Sequence, residues 1–409
     1  MAHDKKHIVL VTSWYPPLQS VAVNRMTAFV NYLDKNKFSI SVITTGTPEI
    51  HGETHEGAIQ VFRIKPKSGF WKPKFNTADS KLIHYSKVAR NVMYHRLFSH
   101  TDKDWIKSAV NRLNELHGKR KIDLVISSFS PVEPHLASLE FCNGQSQVRW
   151  IVDMRDEMSQ NPQDDPKIRK KYALIETAIS KRANALVSVS EPIVNYFKLS
   201  VPGLKHYVEI RNGYDHDVPS FDYNFNENFT MLHAGSFYGI RKPNTLFAAL
   251  EQIDRRNMLP EKWKLICAGA SHNFSIPSKF RDHVQIIERV PQTKSIELMA
   301  KADLNLLIQP PTGRKGIFTG KIFDYLSVGK PILAIADMDD VAAGLIQDMH
   351  AGFCANFNDL IGIENGLIQA MDMWKMKIRS TIDQQEIKKL HRKYQVEKLQ
   401  GLIEQVIHE

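Results

Sequence analysis

Cysteine is scarce in this sequence. Its 409 residues include three, Cys142, Cys267 and Cys354, which lie far apart in the chain. An odd number at these spacings matches neither a disulfide framework nor the paired ligands of a zinc site. We expect all three to be core thiols.

Long apolar runs are missing as well. Residues 1–6 lack the apolar stretch of a signal peptide, and no later run approaches the roughly 20 residues that span a bilayer. The sequence therefore predicts a cytoplasmic protein. Its 43% hydrophobic and 24% charged residues are ordinary for a globular chain, and its length predicts two domains.

Positive charge is concentrated in one segment. The net charge is +10, and residues 61–121 hold 15 Lys or Arg against 4 Asp or Glu. Aromatic residues lie among these cations: Phe70, Trp71, Phe75, Tyr85, Tyr94, Phe98 and Trp105. Such a mixture suits an anionic membrane surface or nucleic acid. A solvated face with ordinary core aromatics is an equal alternative.

The first half of the chain alternates strand-like and helix-like patterns. Its strand-like runs are His7–Thr12, Phe38–Thr44, Ile122–Ile126, Arg149–Val152 and Ala185–Val189. Helical spacing separates them, as in Tyr172–Ser180. This βαβ alternation predicts a parallel sheet with crossover helices.

A second alternation follows a polar stretch at Asp217–Phe229 that has the composition of a linker. Its strand-like runs are Phe229–His233, Trp263–Ala268, Val284–Ile287, Leu304–Ile308 and Pro331–Ile335. We therefore predict an α/β protein of two Rossmann-like, doubly wound parallel-sheet domains that face each other across a cleft. The predicted domains are residues 1–216 and 217–383, and a helix in 384–409 is expected to pack back onto the first.

Two loops of the second half combine glycine with positive charge after a strand. The first begins at Gly235 and ends in Arg241 and Lys242, just before a helix. Helix N-termini at the carboxyl ends of parallel strands bind phosphates. Arg241 or Lys242 would there neutralise a diphosphate leaving group. A glycine turn with solvated cations is the commoner meaning of such a loop taken alone.

The second loop leads into another helix. Thr319 can cap that helix, Gly320 lets a phosphate approach the backbone, and Lys321 adds charge beside it. Asp324, one turn further along, can accept hydrogen bonds from ribose hydroxyls. An i, i+3 surface pair of Lys321 and Asp324 is the plainer alternative. Gly269, which ends another strand, is a third point where a nucleotide can approach the backbone.

The run KIFDYLSVGKP, from Lys321 to Pro331, resembles the Lys-x-Phe-Glu-Tyr-Leu-Ala-x-Gly-Lys-Pro signature of family 4 glycosyltransferases. Other matches occur in the family's order over nearly the whole chain: Tyr15-Pro16-Pro17 with Arg25, Ser130-Pro131 with His135-Leu136, Asp153-Met154-Arg155-Asp156, Ala183 to Ser190, Asn212-Gly213-Tyr214-Asp215, and Ala302-Asp303. Their shared order is more specific than any one motif. The resemblance implies the two-domain GT-B fold.

The resemblance also implies an activity: retaining transfer of sugar from a UDP- or GDP-linked donor, without metal or cofactor, to a glycan or lipid-linked acceptor. By carry-over, Arg241 or Lys242 and Lys321 hold the diphosphate, Asp324 the ribose, and the backbone near Val290-Pro291 the base. Catalysis then consists mainly of electrostatic stabilisation of the leaving diphosphate.

On the acceptor side, carry-over places His135 and the cluster of Asp153, Arg155 and Asp156. His135 is as readily a packed histidine, and a salt-bridged structural cluster fits the other three equally well. The resemblance implies a role in cell-envelope or extracellular polysaccharide synthesis. With the basic segment, it further predicts peripheral contact with the anionic inner face of the cell membrane.

Three positions depart from the family pattern. Many relatives carry two Glu separated by seven residues, but Asp324 replaces the second and Gly316 occupies the position of the first. The first loop has Gln19 and Ser20 where relatives often have paired glycines that cradle the diphosphate. Asn184 replaces an Asp that we interpret as structural. These departures predict that contacts to the donor sugar and diphosphate differ from those of the family.

Other functions fit parts of the sequence. A sugar-nucleotide epimerase would share the architecture and the donor, and a non-catalytic partner subunit would account for the missing glycines. Nucleic-acid binding finds no recognition-helix, zinc or RNA motif in the chain. Asp337-Met338-Asp339 has the form of a metal-binding Asp-x-Asp, but we interpret it as a loop after a strand, because cations and helix dipoles can replace the metal in this architecture.

Overall fold

A computed structural model describes residues 5–47, 49–65, 101–218, 225–237, 239–270, 273–380 and 382–409. The chain forms two compact units, residues 1–210 with 396–409, and residues 211–395. This division differs from the predicted boundaries after residues 216 and 383. Residues 211–216 join the second unit because the Tyr214 carbonyl accepts a 3.0 Å hydrogen bond from the Arg392 amide, which ties the two connecting segments together.

The first unit contains an eight-stranded sheet. Its strands are β1 (Lys6–Val11), β2 (Phe38–Thr45), β3 (Gly52–Glu56), β4 (Ile59–Ile64), β5 (Leu124–Phe129), β6 (Arg149–Met154), β7 (Ala185–Ser188) and β8 (His206–Glu209). Their order is β3-β4-β2-β1-β5-β6-β7-β8, and every pair is parallel except the β3–β4 hairpin at the edge. The central strands are almost entirely buried, as expected of a parallel sheet covered on both faces.

The helices among the described residues of this unit are α1 (Val21–Tyr32), α2 (Lys103–Lys119), α3 (Glu133–Gly144), α4 (Pro166–Arg182) and α5 (Glu191–Ser200). Ser20 is the N-cap residue of α1, and its hydroxyl accepts a 3.1 Å hydrogen bond from the Val23 amide. The final helix of the chain, α12 (Arg392–His408), returns to this unit and buries Val396, Leu399 and Ile403 in its core.

The second unit contains a six-stranded parallel sheet. Its strands are β9 (Phe229–Ala234), β10 (Trp263–Ala268), β11 (Val284–Ile287), β12 (Leu304–Ile308), β13 (Ile332–Ile335) and β14 (Gly352–Ala355). The order β11-β10-β9-β12-β13-β14 is the 3-2-1-4-5-6 order of a doubly wound dinucleotide fold. The strand order reverses between β9 and β12, and ligands of such sheets bind at the carboxyl ends beside this reversal.

The helices of the second unit are α6 (Asn244–Arg255), α7 (Gln292–Lys301), α8 (Gly320–Ser327), α9 (Val341–Asp348), α10 (Leu360–Lys375) and α11 (Gln384–Lys389), and a short 3-10 helix covers Ser278–His283. The prediction of two doubly wound parallel-sheet domains is confirmed. Within the described part of the chain, no helix is both long and apolar enough to cross a membrane.

Candidate functional site

Two glycines meet at the carboxyl edge of the second sheet. Gly235 follows β9 with a φ of +129°, and Gly269 follows β10 with a φ of +78°. The Gly235 amide donates to the Ala268 carbonyl and the Gly269 amide to the Ile287 carbonyl, both at 2.6 Å, which fixes the two loops beside each other. A β-carbon added to Gly269 would stand 3.5 Å from the Gly235 Cα. The missing side chains leave backbone open to a ligand at this point.

Lys321 reaches the same point from α8. A β-carbon on Gly235 would overlap the Nζ of Lys321, so the ammonium occupies the space that this glycine leaves free. Burial, followed by the charge of Arg241, lowers the pKa of Lys321 to about 8, while Asp324 acts in the opposite direction. The fold thus holds two cations together in a partly buried place. An anionic group bound there would relieve both the desolvation and the repulsion.

The start of α8 adds polar groups to this point. Thr319 occupies the N-cap position, but, unlike our prediction, its side chain makes no capping hydrogen bond. Its buried hydroxyl oxygen has no hydrogen-bond partner within the described residues. The first turn of a helix also carries amide groups without intrahelical acceptors, here those near Gly320. Together they form a place where phosphate oxygens find donors and a positive helix dipole.

Buried aromatic side chains hold this edge rigid. The Tyr325 hydroxyl accepts a 2.7 Å hydrogen bond from the Ala234 amide and lies 3.2 Å from the Leu306 carbonyl, so α8 is pinned across the strand reversal. His233 stacks on Phe237 with 4.3 Å between ring centroids. Burial, and then the Lys321 charge, lower the pKa of His233 to about 3, so its ring is neutral and adds no further cation.

Asp324 lies one turn along α8 from the glycine–lysine cluster. Its side chain is 22% exposed, and burial raises its pKa to about 6 against the opposing charges of Arg392 and Lys321. The Nδ1 of His216 lies 3.6 Å from its Oδ1. This carboxyl is therefore partly accessible to solvent, and one of its oxygens lies next to the His216 ring. Sequence reasoning missed His216, because the chain places it more than 100 residues before the helix that it contacts.

The remaining predicted donor residues lie at the borders of this cluster. Val290 is half-buried against the core, and the exposed Pro291 is the N-cap residue of α7. Arg241 is half-buried and within electrostatic reach of Lys321. Lys242 is exposed and lines an open groove with Asn244, Phe247, Glu251, Asn273 and Phe274. Of the two cations in this loop, the structure thus brings Arg241 toward Lys321.

His135, predicted on the acceptor side, lies in the core of the first unit. Its ring is 0% exposed, with Nδ1 at 2.6 Å from the Ser127 hydroxyl and Nε2 at 3.2 Å from the Met154 sulfur. Burial lowers its pKa to about 3. Both ring nitrogens are occupied by interior groups, so the structure corrects the prediction of a substrate contact: this imidazole is a packed core residue.

The predicted acidic cluster is divided by the structure. Asp153 is fully buried and accepts hydrogen bonds of 2.8 to 3.2 Å from the Arg25 guanidinium, together with one of 2.8 Å from Ser128. Arg155 donates to the Ser128 hydroxyl and to the Ser130 carbonyl. Asp153, Arg25 and Arg155 are therefore joined in one structural network, directly or through the Ser128 hydroxyl. Asp156 is half-buried just beyond β6, at the carboxyl edge of the first sheet.

Most of the basic, aromatic segment lies outside the described residues, including Phe70, Trp71, Phe75, Tyr85, Tyr94 and Phe98. Trp105 is described and is a core residue with 1% exposure. Arg63 is buried and donates to the Pro16 carbonyl and to Glu56. Lys103, Lys107 and Lys121 are exposed. Among the described residues, no group of three His, Cys, Asp or Glu side chains is placed to hold a metal ion.

Solved structures resemble this chain in fold, whereas the comparisons with family models and with curated sequences found no match. No protein-family model matches it, and no curated protein matches it in sequence. Sucrose-phosphate synthase of Thermosynechococcus elongatus matches with a TM-score of 0.63 at 12% identity, over 99% of this chain and 100% of that one. A UDP-forming α,α-trehalose-phosphate synthase of Burkholderia xenovorans, in complex with glucose-6-phosphate, matches with a TM-score of 0.64 at 9% identity, over 97% and 100%. Anabaena HepE, in complex with UDP and glucose, matches with 0.60 at 12% identity, over 98% and 100%.

The chain has the GT-B fold. The predicted fold class is thereby confirmed. At 9 to 12% identity the comparison establishes architecture alone, so chemistry has to be argued from the residues. In this GT-B chain, the convergence of Gly235, Gly269, Lys321 and Arg241 is the feature of the second unit with the clearest chemical meaning.

Proposed function

We propose that this protein is a glycosyltransferase that binds a nucleoside diphosphate sugar at the carboxyl edge of its second sheet. The observation that carries the proposal is the ammonium of Lys321 lying over Gly235, with Arg241 within electrostatic reach. A doubly wound sheet, two bare backbone turns, a helix N-terminus and two cations together suit a diphosphate. Solved GT-B neighbours that are named synthases or hold UDP support the choice of a nucleotide sugar.

The proposal assigns roles along the donor. Lys321, Arg241 and the first turn of α8 hold the diphosphate, Asp324 accepts from ribose hydroxyls, and the chain near Val290-Pro291 faces the base. We infer no metal or other cofactor, because these cations and the helix dipole supply the positive charge that a metal would supply elsewhere. The signature at residues 321–331 favours a family 4 enzyme within the GT-B class.

Retention of anomeric configuration is part of the proposal. The bond between the anomeric carbon and the diphosphate oxygen breaks on the same face on which the acceptor oxygen bonds. The acceptor proton passes to the departing phosphate oxygen. Lys321 and Arg241 stabilise the charge that grows on the diphosphate, which is a contribution realised mainly in the transition state. Asp156, at the carboxyl edge of the first sheet, is the proposed acceptor contact.

A nucleotide screen tests the donor assignment. Thermal shift and calorimetry against UDP, GDP, ADP and CMP, with and without magnesium, should give a selective, metal-independent shift with a diphosphate. A ligand at 100 times its Kd stabilises the folded protein by about 2.7 kcal/mol, so the shift is readily measured. The absence of any shift would instead make a non-catalytic partner subunit the leading account, since Ser20 in the glycine-less first loop is used as a helix cap.

We further propose a cytoplasmic enzyme of envelope or extracellular polysaccharide synthesis, acting on a glycan or lipid-linked acceptor at the inner membrane face. Residues 61–121 carry the required positive charge. In liposome flotation, the protein should bind anionic vesicles and not neutral ones, and should be released as salt rises from about 0.05 to 0.5 M. Vesicle binding that does not change with salt or lipid charge would instead indicate that residues 61–121 form an ordinary solvated face.

A further inference from the structure

His216 occupies a position behind the proposed ribose-binding carboxylate. Its Nε2 lies 2.9 Å from the Ser327 hydroxyl, and that hydroxyl donates a 2.7 Å hydrogen bond to the Asp324 carbonyl. Its other nitrogen, Nδ1, lies 3.6 Å from the Oδ1 of Asp324. His216 therefore contacts two residues of the last turn of α8: Ser327 through Nε2 and Asp324 through Nδ1.

The hydrogen count on this chain of groups determines the tautomer. Ser327 has a single hydroxyl proton, which it donates to the backbone carbonyl of Asp324, so its oxygen must accept a hydrogen bond from the Nε2–H group of His216. In a neutral imidazole, Nδ1 is then a bare lone pair that faces a carboxylate oxygen. That nitrogen is buried and has no hydrogen-bond partner among the described residues. The arrangement becomes attractive when a proton sits between Nδ1 and Oδ1.

We propose that His216 is a positioning residue that, in its doubly protonated form, orients the Asp324 carboxylate toward the ribose of the donor nucleotide. This inference rests on the proposed function and names a residue that acts through Asp324 rather than on the substrate. An imidazolium fixes Oδ1 and leaves the other carboxylate oxygen for a ribose hydroxyl. Without that proton, the lone pair repels Oδ1 and the carboxylate loses its orientation.

The surroundings shift the pKa values of the two groups in opposite directions. Burial raises the pKa of Asp324 to about 6, against Arg392 and Lys321. Burial also lowers the pKa of His216, with His391 and Arg392 acting in the same sense and Asp215 and Asp217 in the opposite one. The 3.6 Å contact between Nδ1 and Oδ1 favours an imidazolium facing the carboxylate over a neutral ring in the same place. Ribose recognition should therefore weaken both when Asp324 gains its proton and when His216 loses its own.

Two substitutions separate orientation from packing. His216→Leu removes both ring nitrogens, whereas His216→Asn keeps a donor near Nδ1 that does not titrate. The readout is the affinity ratio of UDP to 2′-deoxy-UDP, with the GDP pair alongside, between pH 5.5 and 8.5. In the wild-type protein we expect a ribose preference of roughly tenfold, the size of one hydrogen bond to a charged group, that shrinks at both ends of this range.

The Leu variant should lose this preference, and the Asn variant should keep it but lose its decline at high pH. Inorganic pyrophosphate should bind all three proteins equally, because Lys321 and Arg241 are unchanged. A Leu variant with the wild-type preference and pH profile, an Asn variant without rescue, or a parallel loss of pyrophosphate binding would each overturn the proposal. If the wild-type protein binds no nucleoside diphosphate, the proposed function fails first, and this role fails with it.

Discussion

Gly235→Ala is expected to lower the affinity for the donor nucleotide by about 100-fold or more. The new methyl group would occupy the space of the Lys321 ammonium, and φ at this position is +129°, where an L side chain is strained. Displacing Lys321 forfeits charge-assisted hydrogen bonds of about 1.5 to 3 kcal/mol, and the methyl also blocks the approach of a phosphate to the backbone. Calorimetric titration with the nucleotide found in the screen measures the loss.

Gly239→Ala is the matched control for this substitution. Gly239 lies in the same loop with a φ of +55°, and no atom of the described residues stands within 4 Å of an added β-carbon. It shares the left-handed backbone but not the overlap, so its nucleotide affinity should stay within about threefold of wild type. Equal losses in the two variants would show that loop conformation matters and that the contact between Gly235 and Lys321 does not.

Lys321→Met is expected to lower nucleotide affinity by about 10- to 150-fold while raising the thermal stability of the unliganded protein. The affinity loss corresponds to the roughly 1.5 to 3 kcal/mol of a charged hydrogen bond. The stability gain follows because the lysine stem is replaced by an apolar chain of similar shape and a buried charge near Arg241 is removed. Each kcal/mol regained would raise Tm by about 2 to 4 °C in a unit of this size.

The effect of Lys321→Met on stability should depend on pH. The pKa of Lys321 in the folded protein, about 8, lies below its value in the unfolded chain, so its protonation costs stability below pH 8 and the cost disappears as pH rises through 8 to 10. The stability advantage of the Met variant should shrink over that window. Diphosphate affinity of the wild-type protein should fall over the same window, because the anion binds the protonated amine.

Lys315→Met is the control for charge alone. Lys315 is 51% exposed and pairs with Asp337 at 2.6 Å, in the loop before α8. Its removal takes away the same formal charge from a position six residues before Lys321 but leaves the glycine–lysine contact intact, so nucleotide affinity should hardly change. If Lys315→Met costs as much affinity as Lys321→Met, a diffuse positive field attracts the nucleotide and the assigned contact is wrong.

The sheets were predictable where a strand carries a largely apolar run. The runs at Trp263–Ala268, Val284–Ile287 and Leu304–Ile308 coincide with β10, β11 and β12. Other strands were missed, because β3 is entirely exposed, β8 and β14 are short and half-buried, and Gln60 and Arg63 interrupt the apolar residues of β4. Such strands lack the continuous apolar run on which the prediction depended.

The role of single polar residues was harder to predict. His135 and Asp153 matched family motifs, yet both side chains are fully buried and bonded to interior groups. Lys321 and Asp324 matched the same kind of motif, but they lie half-buried on α8, at the carboxyl edge of the second sheet. A motif preserves the position of a residue in the fold, whereas exposure of its side chain depends on neighbours from distant parts of the chain, such as Met154 for His135.

The sequence by itself determined that this chain would alternate strands and helices into two parallel sheets, because periodicity of apolar residues is a local property that each segment carries alone. It also located a glycine after β9 and a lysine at the start of α8. Only the tertiary structure decided that the Lys321 ammonium lies over Gly235, that His216 stands behind Asp324, and that His135 is enclosed. Gly235 and Lys321 are 86 positions apart in the chain, His216 and Asp324 are 108 apart, and His135 and Met154 are 19 apart. Contacts over such separations depend on how strands are ordered in a sheet, which no single segment encodes.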